Sequence, residues 1–392
     1  MTLHAILALG AAQCVNWGVL YYAFGALLLP MQRDLATSPP VVAGAFSVGL
    51  LVSAAAAPAV GRFCDAGKGP SLMRAGTLAA AVLLWILASL PHVVTLYLVW
   101  AGLGICMAAA LYEPAFAIVG RAHANPRQRL RALSIVTVFG GLASTVFLPV
   151  TAFLIDRWGW QGTLVVLGAF MAASAGIAWA LSVPDARAAE SKAAVERSPD
   201  DRRTPTLRLR TVMTVFALAS FAGAAFMATA VSAFMERGLT ATRAALLAGI
   251  FGVMQLPGRI FLMTGLLENP SQLAGASLAA QAAGLMVVAI GTAPSIAAGV
   301  AVFAIGNGLM TLVRPHLVHS TFEIAHAGAR NGAIARAQQV ARAAGPFVAT
   351  LVASAIGYRA MLGMLALGVT VLAAWWWSTI TAPTRDILEE TI

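Results

Sequence analysis

The sequence predicts an all-α membrane protein with twelve transmembrane helices arranged as two pseudo-symmetric six-helix bundles. Three observations predict it: the composition, a series of long apolar runs, and a repeat that relates the two halves of the chain. Of the 392 residues, 60% are apolar and 10% are charged. A soluble domain carries about 25% charged residues, and a soluble fold of this composition could not cover its surface. A water-soluble enzyme or binding module is therefore excluded.

The net charge of +10 does not indicate nucleic-acid binding. Basic residues of membrane proteins collect in the cytoplasmic loops, which accounts for the excess. The three cysteines, Cys14, Cys64 and Cys106, form neither a disulfide framework nor a metal-ligand spacing. We therefore expect no cofactor and no metal site, and the partner of the apolar surface is the lipid bilayer.

Apolar runs long enough to cross a bilayer, about 20 residues each, recur along the whole chain. Each run must be helical, because an open strand cannot satisfy its backbone in hydrocarbon. The first run is too long for the apolar region of a cleavable signal peptide and is expected to be a retained span. The twelve runs cover residues 3–30, 41–60, 72–91, 93–120, 132–155, 162–183, 211–234, 244–266, 272–291, 295–320, 333–356 and 360–382.

A polar stretch divides the spans into six and six. It predicts an N-terminal bundle over 1–183, a cytoplasmic linker over 184–210, a C-terminal bundle over 211–382 and a cytoplasmic tail over 383–392. With the N-terminus inside, seventeen basic residues fall in the inner loops and five in the outer loops. This bias predicts that both termini are cytoplasmic.

The two halves repeat one another at an offset of about 200 residues. Several matching residues or short segments, called anchors here, occur in the same order in both halves at a nearly constant offset. This pattern indicates an internal duplication. Because each half has an even number of spans, the halves are expected to be related by an axis along the membrane normal, with a binding site between them. The paired anchors are Pro58 with Pro257, Pro114 with Pro315, Pro149 with Pro346, Gly61-Arg62 with Gly258-Arg259, and the segment 159–164 with 357–362.

With this repeat, the loop after the second span resembles a signature of the major facilitator superfamily of secondary transporters. The stretch 61–69 reads GRFCDAGKG, and its Gly61, Asp65 and Lys68 match the family pattern, while Ala66 replaces a basic residue. The resemblance covers essentially the whole chain. It implies two bundles that rock about a central site, a small-molecule substrate and a monomer. It also implies a conformational latch formed by Gly61, Arg62, Asp65, Lys68, Gly258 and Arg259.

Three further segments resemble bacterial monocarboxylate-porter-like members of the superfamily. They are NWGVLYYAF at 16–24, WGW at 158–160, and GNG at 306–308, which leads to Arg314. The resemblance implies a multi-pass protein of the bacterial inner membrane.

Three ionisable residues lie deep in the predicted spans: Glu113, Arg314 and Arg342. Placing such a side chain at the centre of a membrane helix costs roughly 2.5–3.5 kcal/mol of insertion free energy. Each of the three is therefore expected to have a specific role. A guanidinium binds a carboxylate through two parallel hydrogen bonds, so Arg314 is a candidate anchor for a small organic anion, aided by Arg342. Glu113 is the candidate proton carrier. The alternative is that these charges are ion pairs that hold the helices together.

Polar and aromatic residues form a stripe down the first span, where Gln13, Trp17 and Tyr21 repeat every four residues and Asn16 lies beside them. We expect this stripe and Gln338 of span eleven to line the cavity and contact the substrate. The alternative is hydrogen bonding between helices. His316, His319 and Glu323 share one helix face, where contact with headgroups accounts for them without a metal.

The sequence therefore predicts a proton-coupled symporter of a small, monocarboxylate-like anion. Two other functions stay open. In a proton-driven exporter of cationic or drug-like compounds, Glu113 would bind the cargo and the arginines would be structural. In the second, the protein would be a membrane receptor that has the same fold but transports no substrate.

Overall fold

We describe a computed structural model of the chain over residues 1–123, 125–180, 206–263, 269–321 and 324–381. Side chains are described except at positions 126, 130, 177–180, 206–208, 259–263, 293, 312, 315, 316, 318–321, 324–331 and 381. Most of the predicted linker and the predicted tail lie outside the described residues. Within the described ranges every regular element is a helix.

The helices of the first half are α1 (Leu3–Trp17), a π-helical turn (Gly18–Tyr22), α2 (Phe24–Asp34), α3 (Pro39–Asp65), α4 (Gly69–Ser89), α5 (Val93–Ala110), α6 (Tyr112–Ala122), α7 (Pro126–Gly141) and α8 (Ala143–Ala180). Those of the second half are α9 (Thr206–Met235), α10 (Ala241–Met263), α11 (Pro270–Ile290), α12 (Ala293–Thr321), α13 (Ile324–Ile356) and α14 (Tyr358–Thr381).

The described parts of the twelve predicted spans are almost entirely helical. In the described part of the chain, ten helical runs are long and apolar enough to cross a membrane. One of them, 127–176, is interrupted by the non-helical backbone of Gly159 and covers two of the predicted spans, while α10 is not among the ten. The predicted all-α architecture is confirmed.

Two helices begin at an Asn-Pro pair. The Asn125 side chain accepts from the backbone N–H groups at 127 and 128, and Asn269 accepts from those at 271 and 272. Such a cap satisfies N–H groups that have no partner inside the helix, while a proline in the first turn has no N–H to satisfy. Both starts lie on the side of the bundle where the linker begins and ends, which we call the linker side.

The opposite side, called the far side, carries the turns at 35–38, 90–92, 236–240 and 357, and here the duplication is visible in the backbone. Gly159 and Gly357 both have a left-handed conformation, with φ of 68° and 86°. The acid that ends the first pass of each half binds the start of the last pass. Asp34 accepts from the Trp160 indole at 2.7 Å, and Glu236 accepts from the backbone N–H at 358 at 3.1 Å.

The halves pack against each other in the far-side and central parts of their helices. Thr242 of α10 donates to Asp156 of α8 at 2.9 Å. Deeper in the bundle, Thr145 donates to the carbonyl of Gly249 at 2.7 Å and accepts from the backbone N–H of Val253 at 2.9 Å. The far-side half of the interface is thus closed by direct contacts between the two bundles.

Candidate functional site

The guanidinium of Arg314 is held by a chain of hydrogen bonds across three helices of the second half. Its Nη1 donates to the Gln338 side-chain oxygen on α13. The Gln338 amide nitrogen in turn donates to the hydroxyl of Ser220 on α9 at 3.0 Å. Arg314 is partly buried, and its Nε–H has no hydrogen-bond partner among the described residues. One donor of the guanidinium is therefore desolvated and unsatisfied within the described part of the chain.

Charged and polar groups of both halves converge on this arginine. Arg314 interacts electrostatically with Arg342, which repels it, and with Glu113 of the first half, which attracts it. Arg342 also interacts with Tyr21 of the first span. Four of the predicted site residues therefore belong to one electrostatic neighbourhood that joins the two bundles.

Glu113 stands where the fourth span is broken. Helix α5 ends at Ala110, Leu111 has extended backbone (φ −83°, ψ −151°), and α6 begins at Tyr112. Pro114 has no N–H to donate to the carbonyl of Ala110, four residues earlier, which favours a break. Glu113 therefore lies in the first turn of α6, and it is exposed.

The carbonyl of Ala110 is satisfied by two amides of the first span. The side chain of Gln13 donates to it at 2.8 Å and that of Asn16 at 3.0 Å. Asn16 also accepts from Ser174 at 3.1 Å, and both amide side chains are fully buried. In this conformation these two residues hold a broken helix together. Their predicted contact with substrate stays a prediction.

The other two residues of the stripe, Trp17 and Tyr21, flank a widened turn of the first span. The π-helical turn at 18–22 begins directly after Trp17 and contains Tyr21 and Tyr22. Such turns inside helices are frequent at functional sites. The ring centroid of Trp17 lies 5.6 Å from that of Tyr21 and 4.8 Å from that of Tyr112. The π-helical turn of the first span and the break of the fourth span are thus in contact through aromatic side chains.

In the linker-side loop after α3, where the sequence predicts a latch, Asp65 contacts another helix through its backbone. The carbonyl oxygen of Asp65 accepts from Nη1 of Arg121, at the end of α6, at 2.9 Å. Gly67, with φ of 81°, completes the turn beside this guanidinium. The other predicted latch residues of this loop, Arg62 and Lys68, are exposed or nearly so.

The remaining latch residues differ in their packing. At Gly61 a Cβ atom would meet nothing within 4 Å, whereas Gly258 packs closely against Leu309 of α12. The side chain of Arg259 lies outside the described residues, as do those of His316 and His319 and all of Glu323. Among the described residues, no group of three potential metal ligands is found.

Sequence reasoning did not identify Ser220 or Arg121. Ser220 is one hydroxyl in an apolar run, where serines commonly bond their own helix, so nothing in its local sequence singles it out. Arg121 does carry a signal, because it ends span four on the side of the Asp65 loop, and a basic residue there can reach that loop.

Comparison with known proteins decides the family. The profile of the Major Facilitator Superfamily matches residues 9–269. The chain belongs to this superfamily. It is 33% identical over 110 residues to monocarboxylate transporter 12 of Rattus norvegicus, and 32% identical over 102 residues to that of Homo sapiens. These matches cover 28% and 26% of this chain, but only 21% and 19% of the length of those relatives.

Solved structures share the fold. A bacterial homologue of the human lysosomal transporter Spinster, inward-facing and occupied, matches with a TM-score of 0.76 and 13% identity, over 95% of each chain. The nucleoside transporter NupG matches with a TM-score of 0.75 and 13% identity, over 97% of this chain and 100% of that chain. The superfamily match and this fold together show a multi-pass membrane protein of the major facilitator type.

Proposed function

We propose that this transporter moves a small, monocarboxylate-like organic anion together with protons, by alternating access of a site between its two halves. The observation that carries the proposal is the Arg314 guanidinium, which is held by Gln338 and influenced electrostatically by Arg342 and Glu113. The local similarity to monocarboxylate transporter 12 supports the same cargo class.

The protein would lie in a bacterial inner membrane with both termini in the cytoplasm, as the basic loops of the linker side favour.

Arg314 is suited to bind an anion because its position is fixed before the cargo arrives. The side-chain oxygen of Gln338 accepts a hydrogen bond from Nη1 of the guanidinium. The Nε–H group has no partner among the described residues. A carboxylate accepting from that donor would form a charge-assisted hydrogen bond, which is stronger than one between neutral groups. The nearby Arg342 adds positive charge, so the cargo would also relieve the repulsion between the two arginines.

Glu113 is suited to couple protons to this binding. It attracts Arg314, and a bound anion would compete with it for the same guanidinium. Protonation of Glu113 removes this competition, so proton and anion would each favour binding of the other. Such reciprocal coupling is what symport requires. Because the far-side interface is closed by direct contacts, the described conformation would expose the site toward the linker side.

The test is uptake into proteoliposomes of labelled monocarboxylates, dicarboxylates and cationic dyes, with internal pH recorded. We expect a monocarboxylate to enter with acidification of the lumen. The Arg314→Ala variant should lose uptake by roughly ten- to a hundredfold, because a charge-assisted bond contributes about 1.5–3 kcal/mol. The Glu113→Gln variant should keep exchange of anion for anion and lose uptake driven by a proton gradient.

Arg336→Ala is the matched control, because Arg336 is exposed on the same helix as Gln338. Equal losses in the Arg314 and Arg336 variants would contradict the anchor role. If only cationic dyes move, and Glu113→Gln rather than Arg314→Ala abolishes their transport, the protein is an exporter of cations and the proposal fails.

A further inference from the structure

An aromatic cluster borders the arginines and is larger than a small aliphatic acid requires. Its members are Trp17, Tyr21 and Tyr22 at the widened turn and Tyr112 at the break of the fourth span. The ring centroids of Tyr21 and Tyr22 are 5.1 Å apart, and Trp17 lies 4.8 Å from Tyr112. All four side chains are only partly buried. The fold therefore leaves part of the surface of these four residues uncovered.

The cluster lies at the boundary between the two halves. Tyr21 packs against the apolar core of the first half, whereas Tyr22 packs against that of the second half. Tyr21 interacts electrostatically with Arg342, and Tyr112 directly precedes Glu113, which attracts Arg314. Ala343, which follows Arg342 on α13, belongs to the same apolar core against which Tyr21 packs. The cluster thus lies beside the helix that carries one of the arginines and beside Glu113.

Two buried donors in this region are unpaired. The indole Nε1–H of Trp17 and the Nε–H of Arg314 are both shielded from solvent, and neither has an acceptor among the described residues. A buried donor without a partner is unfavourable, and tryptophan N–H groups usually find a partner when buried. A cargo with two acceptor groups, one of them a carboxylate, would satisfy both.

The charges favour one carboxylate rather than two. Among the described residues, the charges that act on Arg314 are those of Arg342 and Glu113. With Glu113 ionised, these three groups together carry one net positive charge, which a monoanion neutralises. A dianion would add a second negative charge to a site on which Glu113 already acts, and like charges repel.

We infer that the cargo is an aromatic monocarboxylate with a second polar group: the carboxylate binds at Arg314 and Arg342, and the ring packs on the cluster formed by Trp17, Tyr21, Tyr22 and Tyr112. This inference rests on the proposed function and specifies its substrate class. The π-helical turn is what makes the cluster, because an extra residue in the turn brings Tyr22 as well as Tyr21 close to Trp17.

The test uses a matched set of acids in competition with uptake of labelled 3-phenyllactate. 3-Cyclohexyllactate has the same carboxylate and hydroxyl on a saturated ring, lactate has no ring, and benzylmalonate has the ring with two carboxylates. We expect unlabelled 3-phenyllactate to compete about tenfold better than 3-cyclohexyllactate, since each aromatic contact adds about 0.5–1.5 kcal/mol beyond its buried area. Lactate and benzylmalonate should compete more weakly still.

In the Trp17→Leu variant, 3-phenyllactate should compete no better than 3-cyclohexyllactate, and both should compete more weakly than in the wild type because the indole N–H is lost as well. Trp375→Leu is its control, because Trp375 is 39% exposed on the outer surface of α14. If 3-cyclohexyllactate or lactate competes as well as 3-phenyllactate in the wild type, the inference is overturned and the proposed function stands. If no carboxylate moves at all, the proposed function fails and this inference fails with it.

Discussion

The fourth and tenth spans carry the same pattern, an ionisable residue followed by a proline, and the structure treats them differently. At Glu113-Pro114 the helix is broken and resumes after Leu111, whereas α12 runs without interruption through Arg314-Pro315. The sequence favours a kink at both prolines, since each removes one backbone donor. A break in the helix assignment at this position is observed in the first half only, within the described residues.

This difference indicates when a proline breaks its helix. The break occurs where another helix supplies a hydrogen-bond donor to the carbonyl that the proline leaves without a partner. In the first half, Gln13 and Asn16 reach across from α1 and bond the carbonyl of Ala110. The corresponding stretch of α9, residues 211–218, reads TVMTVFAL and has no amide side chain. In a bilayer an unsatisfied carbonyl costs several kcal/mol, so a broken helix is stable only where other groups replace the lost bond.

The first pass of each half differs in the same way. In the first half it contains the π-helical turn, whereas α9 is regular along its length. Both irregularities of the first half lie beside the proposed cargo, and the regular second half supplies the arginines. The duplicated halves have thus diverged into one that is locally deformed and one that carries the positive charge.

The largest expected effect is that of Asn16→Leu. It removes the bond to Ala110 and leaves Ser174 without its acceptor. We expect the free energy of unfolding to fall by about 2 kcal/mol or more, because buried polar groups lose their partners. Thermal unfolding in detergent measures it, and an unchanged Tm would show that these bonds do not stabilise the break.

Gly18→Ala should destabilise the protein somewhat less. A Cβ at this first residue of the π-helical turn would overlap the ring of Phe147, which is buried. Relief of such an overlap costs about 1–3 kcal/mol. Gly61→Ala is the control, because a Cβ there would meet nothing within 4 Å. If both variants unfold at the same temperature, close packing at the turn is not required.

Pro114→Ala tests the break through activity rather than stability. It restores an N–H that can bond the carbonyl of Ala110, which favours a continuous helix. We expect uptake to fall several-fold with little change in Tm, while Pro315→Ala in the continuous helix leaves uptake nearly unchanged. Equal uptake by the two variants would mean that the break has no part in transport.

Gln281→Leu should have the smallest effect, and of opposite sign. Gln281 of α11 is fully buried, yet neither polar atom of its amide has a partner among the described residues. Its replacement by an apolar side chain of similar size should leave stability unchanged or raise it by up to about 1 kcal/mol. A clear fall in Tm or in uptake would instead indicate that this amide forms a hydrogen bond during the transport cycle.

The sequence predicted the architecture because bilayer crossing demands long apolar runs, and the repeat anchors located equivalent positions. The paired left-handed glycines, Gly159 and Gly357, confirm this equivalence in the backbone. The predicted domain boundaries and the orientation in the membrane stay predictions. The depth of Arg314 in the membrane likewise stays a prediction.

What each of these polar residues contacts could not be read from the chain. Ser220 binds Gln338 from 118 positions away, and Gln13 bonds a carbonyl 97 positions away. Such contacts depend on how the helices rotate and approach, which one-dimensional periodicity does not encode. Composition and periodicity thus determined the membrane class, the passes and the duplication, because the bilayer imposes one local rule on every span. Only the tertiary structure decided which proline breaks its helix and which groups surround Arg314, because both depend on partners supplied by other helices.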